Sequence, residues 1–275
     1  LHFCPAVYRN FVLFIARRRW PATGERRRRR RINTARTPRT GVSTITTGRT
    51  LDADGEPIPG TGFELDTESW LATQIRERSG PISSHPTQPM WSIPVGASET
   101  DDETGGGAAD ETVRGVSVVA RGYDGPPPHY HTQSRERFDV RRGELTLELD
   151  GAKRRVPAGE TAVVETGVEH TFRVETDDRA VVVTEINAPG RLRSVLPTLG
   201  GLAHDTDRDP DDPLQPAVIA DRLADHTVFT AAEGGLVGAA TELLAPVGRA
   251  AGYQAAYGEY LTPAFWRAHV EQPSV

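Results

Sequence analysis

Between residues 112 and 186 the chain shows no helical period. Short β-branched or alternating runs follow one another instead: "TVRGVSVVAR" (112–121), "ERFDVR" (136–141), "ELTLEL" (144–149), "AKRRV" (152–156), "TAVVE" (161–165), "HTFRVE" (170–175) and "RAVVVTEI" (179–186). "PAGE", "TGVE" and "TDD" separate several of them. Leu145, Leu147 and Leu149 alternate with Thr146 and Glu148, a period of two that buries one face of a strand. Asp150-Gly151 then supplies a hairpin turn, because both central positions of such a turn favour φ > 0. About eight short strands with turn signals every 8–12 residues predict a β-sandwich or barrel over residues 111–190.

The flanks read differently. Residues 1–49 hold thirteen arginines against a single acidic residue, Glu25, and "RRRRRR" (26–31) repels itself. The Gly- and Thr-rich stretch that follows and the acidic "SETDDETGGGAADE" (98–111) predict little packed structure, so residues 1–110 are expected to be disordered or wrongly assigned to the protein. Within them only "DTESWLATQIRERS" (66–79) has a capped helical pattern. Met90 is the only methionine, and the charge reverses before it. The natural chain is therefore expected to start at Met90 or at a non-Met codon ahead of the barrel. The intact mass of natively expressed protein tests this, and a mass that includes residues 1–80 excludes it. Residues 191–275 predict loop and helix, with helical patterns at 214–225 and 235–257 and Pro246 expected to kink the second.

Beyond residue 49 the chain carries 19 basic and 37 acidic side chains, a body that repels nucleic acid. Only one basic residue, Lys153, is a lysine, which with the acid excess is the composition of a salt-adapted protein. One cysteine, Cys4, excludes an internal disulfide and a cysteine zinc site and fits a cytoplasmic setting. The apolar run "FVLFIA" (11–16) is too short for a membrane span or a signal-peptide core.

The chemistry concentrates in "GPPPHYHTQSRERFDVRRGELTLELDG" (125–151). Residues i and i+2 of a strand share a face, so His129 and His131 aim at one point. Glu136 lies at odd spacing from His131, and a bend at 132–134 would return it to that point. His170 opens another strand after a turn. Three imidazoles and a carboxylate suit a divalent transition metal (Fe, Mn, Co, Ni, Cu or Zn) and leave coordination positions open. A lone His-X-His would read as structural or surface histidine. The three prolines at 126–128 are expected to fix His129 rigidly. There is no strained Gly-X-Ser-X-Gly nucleophile turn and no phosphate-binding glycine loop with a Lys.

Residues 122–175 resemble the cupin family, whose fold is a small double-stranded β-helix or jelly roll. The first family motif reads here as His129-Tyr-His131, four residues, Glu136, six residues, Gly143. The second reads Gly159, five residues, Glu165-Thr166-Gly167, two residues, His170. Gly122 stands one residue too far from His129, Glu165 replaces a Pro and Val174 an Asn, and none of these is a ligand position. The helical tail resembles that of a group of single-domain bacterial cupins. The resemblance implies a mainly β, cupin-type barrel with a C-terminal helical extension and a disordered N-terminus. It also implies His129, His131, Glu136 and His170 as metal ligands, a small-molecule substrate or ligand, and a homodimer. Three functions compete: a mononuclear metal-dependent oxygenase, a non-catalytic binding or sensor module, and a metal-dependent isomerase or epimerase, whose base would be Glu165 or Glu185. A sensor would normally carry a DNA-binding helix-turn-helix, and the apolar helices behind an acidic loop do not read as one.

Overall fold

The computed structural model describes residues 43–96, 112–209 and 212–275. Its first strands are β1 (Thr44–Thr47), β2 (Phe63–Asp66), β3 (Ser83–Ser84) and β4 (Met90–Pro94), with helix α1 (Trp70–Arg76) after β2. The barrel strands follow: β5 (Thr112–Val119), β6 (His129–His131), β7 (Glu136–Arg142), β8 (Glu144–Leu149), β9 (Ala152–Pro157), β10 (Thr161–Val164), β11 (His170–Arg173) and β12 (Ala180–Asn187). Helices α2 (Leu192–His204) and α3 (Leu214–Leu223), strand β13 (Thr227–Phe229) and helices α4 (Gly235–Ala250) and α5 (Pro263–His269) complete the chain.

Two antiparallel sheets form the jelly roll. One has the order β10-β7-β12-β5-β4-β3 and the other β13-β6-β11-β8-β9. Phe138, Val140, Ala162, Val164 and Val182 from the first sheet meet Leu145, Leu147 and Val156 from the second in one buried core. The β8–β9 hairpin turns at Asp150 and Gly151 with φ of 46° and 78°, the left-handed pair that its sequence predicts. Gly143 is required at the β7–β8 corner. Its φ is +71°, and a Cβ there would lie 2.4 Å from the Arg179 carbonyl oxygen.

Order extends well ahead of the barrel, which corrects the expectation for residues 1–110 over residues 43–96. The six-stranded sheet is apolar on both faces: Val182 points into the barrel, while Val181 and Val183 point outward with Val116 and Val118. Ile93 of β4 belongs to that outer face, which is covered by Phe63, Leu65, Leu71, Ile75 and Ile82, together with Trp266 from α5. Apolar residues there are spaced thinly among Thr, Gly and Pro, so no periodicity announces them, yet each is buried. β4 pairs with β5 through Met90↔Val119 to Pro94↔Gly115, so Met90 sits inside a sheet. Trp91 Nε1 donates to the Gly48 carbonyl at 2.8 Å. The C-terminal strand-like tail closes the layer: Gln272 accepts from Ile82 N at 2.8 Å and donates to Ile82 O at 3.0 Å. Residues 1–42 and 97–110 of the same expectation lie outside the described residues.

The predicted helix at 66–79 is α1, and its cap is Ser69, whose side chain accepts from Ala72 N, rather than Asp66 or Thr67. α3 and α4 fall where predicted, but α4 runs through Pro246 without interruption. α2 also contains a proline, Pro197. These helices build a third core, in which Leu192, Val195, Ile219 and Leu223 meet Phe229 of β13. The C-terminal segment is thus part of the barrel wall, since β13 joins the second sheet beside β6. No helix among the described residues is long and apolar enough to cross a membrane.

Candidate metal centre

His129, His131, Glu136 and His170 converge. One ligand atom from each lies within 4.8 Å of all the others, and all four residues are buried. His129 and His131 are the first and last residues of β6, on one face as the period of two requires. His170 opens β11 directly opposite His129 in the register. The chain bends after His131, as expected, and Glu136 returns to the histidines. The turn at 132–135 carries the chain from the second sheet to the first, and Glu136 reaches the point from the opposite wall.

Each imidazole is held by its Nδ1. That of His129 donates to the Pro127 carbonyl at 2.9 Å, and that of His170 to the Val168 carbonyl at 3.0 Å. Carbonyls only accept, so both rings carry the Nδ1 proton; the neutral His129 ring then presents its Nε2 lone pair inward, while the His170 Nε2 faces Glu136. His131 Nδ1 lies 3.0 Å from Thr227 Oγ1. The three prolines act as an acceptor rack: Pro126 O accepts from Thr171 Oγ1, Pro127 O from His129, and Pro128 O from Thr230 N. Their fixed φ makes that rack stiff.

Inside, His170 Nε2 lies 3.0 Å from Glu136 Oε2 and His131 Nε2 lies 3.5 Å from the same oxygen. The latter nitrogen is buried with no hydrogen-bond partner. Burial raises Glu136, but the imidazoles of His131 and His170 outweigh it and hold the carboxyl at about 2. Burial lowers His170, yet its bond to Glu136 leaves it raised above the usual value. Burial, with the His170 and His131 neighbours, pushes His129 down to about 3. A His131 nitrogen without a hydrogen-bond partner among the described residues, the neutral His129 lone pair, and a charged carboxylate with His170 against it, all around one point, fit a divalent cation. The group can hold a metal ion.

Beside the centre lies an apolar pocket. His129 and Thr227 form its polar edge, and Pro127, Leu192, Val195 and Phe229 are among its walls. Among the described residues no charged side chain lines it. Sequence reasoning missed this pocket and missed Thr227 and His226. Both residues lie more than ninety positions beyond β6, Thr227 at the start of a three-residue strand with no periodic signature and His226 just before it. His226 Nδ1 is 3.0 Å from Thr227 Oγ1, and its Nε2 is 2.7 Å from the Ala188 carbonyl and 2.8 Å from Ser134 Oγ.

Residues 115–186 match a family described as "Cupin domain". No curated protein matches the chain in sequence. Among solved structures, KdgF from Halomonas sp. is 22% identical, covering 36% of this chain and 80% of its own, with a TM-score of 0.28. An RmlC-like cupin from Shewanella frigidimarina is 16% identical, covering 40% and 85%, with a TM-score of 0.32. A sugar phosphate isomerase of the cupin superfamily from Silicibacter pomeroyi is 20% identical, covering 41% and 73%, also at 0.32.

Proposed function

Residues 115–186 being a cupin domain, we propose that the protein is a mononuclear metal-dependent oxygenase acting on a small, uncharged organic substrate. The observation that carries the reading is the buried His129, His131, Glu136 and His170 cluster, whose His129 also lines an apolar pocket. A bound divalent transition metal supplies Lewis-acid and redox chemistry at that point. His129, His131 and His170 would hold it through Nε2, and Glu136 would offset part of its charge. The stiff Pro126–Pro128 rack keeps His129 aimed. The pocket walls hold the apolar part of the substrate, exclude water and bring it against the His129 side of the centre.

The isomerase reading needs a base beside the metal, and the two candidates do not serve. Glu165 is exposed on a turn. Glu185 is engaged by Arg114 at 3.2 Å and Arg137 at 3.0 Å. Tyr123 is buried, and burial followed by the Glu136 charge raises it, so it stays a protonated phenol. A homodimer and a cytoplasmic setting complete the proposal, and sedimentation velocity tests the assembly.

The test has two stages. Metal analysis of the protein after loading with Fe(II) is expected to give one ion per chain, lost in His129→Ala. Oxygen consumption is then followed against neutral phenols, thiols and ketones. Uptake with one of them supports the oxygenase. Metal without uptake for any member leaves a ligand-binding cupin as the better reading, and no metal overturns both.

A further inference from the structure

We propose that Thr227 and His226, which lie outside the matched cupin domain, are positioning residues for His131 and complete the metal centre. The inference rests on the metal reading above. Ala188 O can only accept, so the His226 nitrogen facing it, Nε2, carries a proton. In the neutral ring Nδ1 is then an acceptor, and the Thr227 hydroxyl donates to it. The Thr227 oxygen is left to accept, and His131 Nδ1–H is its donor at 3.0 Å. The chain of bonds runs from His131 through Thr227 and His226 to Ala188. It fixes His131 in the Nδ1–H form, with its Nε2 lone pair in the centre, 3.5 Å from Glu136 Oε2 and without a hydrogen-bond partner among the described residues.

The surroundings hold this chain of bonds in place. Ala188 adopts φ +44°, uncommon for a residue with a side chain, and its carbonyl accepts from both His226 and Ser134. Gly190 leaves room for the imidazole: a Cβ there would lie 2.8 Å from His226 Cδ2. The backbone supports the same placement. β6 meets β11 at one register position only, His170↔His129, but pairs with β13 along its full length, Thr227↔His131 to Phe229↔His129. Thr132 N donates to His226 O at 2.8 Å, and Thr132 Oγ1 and Gln133 Nε2 both donate to Asp225 O. The strand bearing two of the four ligands is therefore located by a segment about forty residues beyond the matched domain.

The experiment uses the full chain with Thr227→Val, Thr227→Ser and His226→Phe variants. Long-range ¹⁵N–¹H spectra of the metal-free protein report the His131 tautomer, and titration of Zn²⁺ against a competing chelator reports affinity. In the parent and in Thr227→Ser, His131 is expected as the Nδ1–H form. In Thr227→Val it becomes a mixture. Zn²⁺ affinity is expected to fall by roughly 10–100-fold in Thr227→Val, while Thr227→Ser stays within about threefold of the parent. His226→Phe is expected to fall between them and covers the case in which Thr227→Val does not fold. An unchanged tautomer together with unchanged affinity in the folded variants overturns the proposal. A parent chain that binds no Zn²⁺ overturns the metal reading instead, and the tautomer spectra still decide the positioning role.

Discussion

Glu136 Oε2 lies 3.0 Å from His170 Nε2 although the two residues stand on strands of opposite sheets. The candidate centre therefore bridges the barrel: three imidazoles come from one wall and the carboxylate from the other. Glu136→Gln keeps the shape and removes the charge. Losing a ligand outweighs losing an outer partner, which costs roughly 10–100-fold in metal affinity, so the drop is expected to exceed 100-fold. Chelator competition measures it, and the far-UV spectrum is expected to stay unchanged.

The same pair predicts proton release. Without metal, Glu136 is charged and His170, held above its usual value by that carboxylate, keeps a proton. A metal takes the Nε2 lone pair, so that proton must leave. Only the deprotonated imidazole binds. Affinity should therefore be flat above the raised His170 pKa and fall as pH drops through it. Calorimetry at pH 6.5 in two buffers of different ionisation enthalpy is expected to show proton release on metal binding, a heat difference that vanishes well above the raised His170 pKa.

What could be read from the sequence follows from distance along the chain. The four candidate ligands lie within 42 residues of one another, in strands whose period of two fixes which way each side chain points. The jelly roll was legible for the same reason, since its turns and alternations are local. Thr227 was not legible, because its place opposite His131 depends on pairing across 96 residues. Phe63 and Ile82 were illegible for another reason. They cover an outer sheet face with isolated apolar residues, and no window of sequence holds enough of them to show a period.

That outer layer predicts the effect of starting the chain at Met90. Ile93, Val116, Val118, Val181 and Val183 lose their cover when residues 43–89 are removed. At about 1.5–3 kcal/mol for each buried aliphatic side chain, the loss is of the order of a domain's whole stability. A 90–275 fragment is expected to aggregate or to melt without a cooperative transition, whereas 43–275 melts sharply. Size-exclusion chromatography and thermal denaturation of the two fragments check this. A soluble, cooperatively melting 90–275 fragment would mean that the outer layer is dispensable.

His204 predicts how the fold responds to acid. It packs at 5.9 Å from the Trp266 ring and lies 3.0 Å from the Ser84 carbonyl through Nε2, which therefore carries a proton. Burial, with His269 beside it, pushes it down to about 3, so it is neutral in the folded protein at any mild pH. In the unfolded chain it titrates at its ordinary value near 6.5. Between those values the unfolded state binds the extra proton, so stability is full above pH 6.5 and declines toward the folded value. By pH 4 this one group removes roughly 2–4 kcal/mol at about 1.4 kcal/mol per unit. His204→Gln keeps a donor for Ser84 and cannot titrate. Denaturant midpoints measured from pH 7.5 to pH 4.5 are expected to fall steeply for the parent and less steeply for the variant. Parallel curves would show that His204 is already protonated, or exposed, in the folded state.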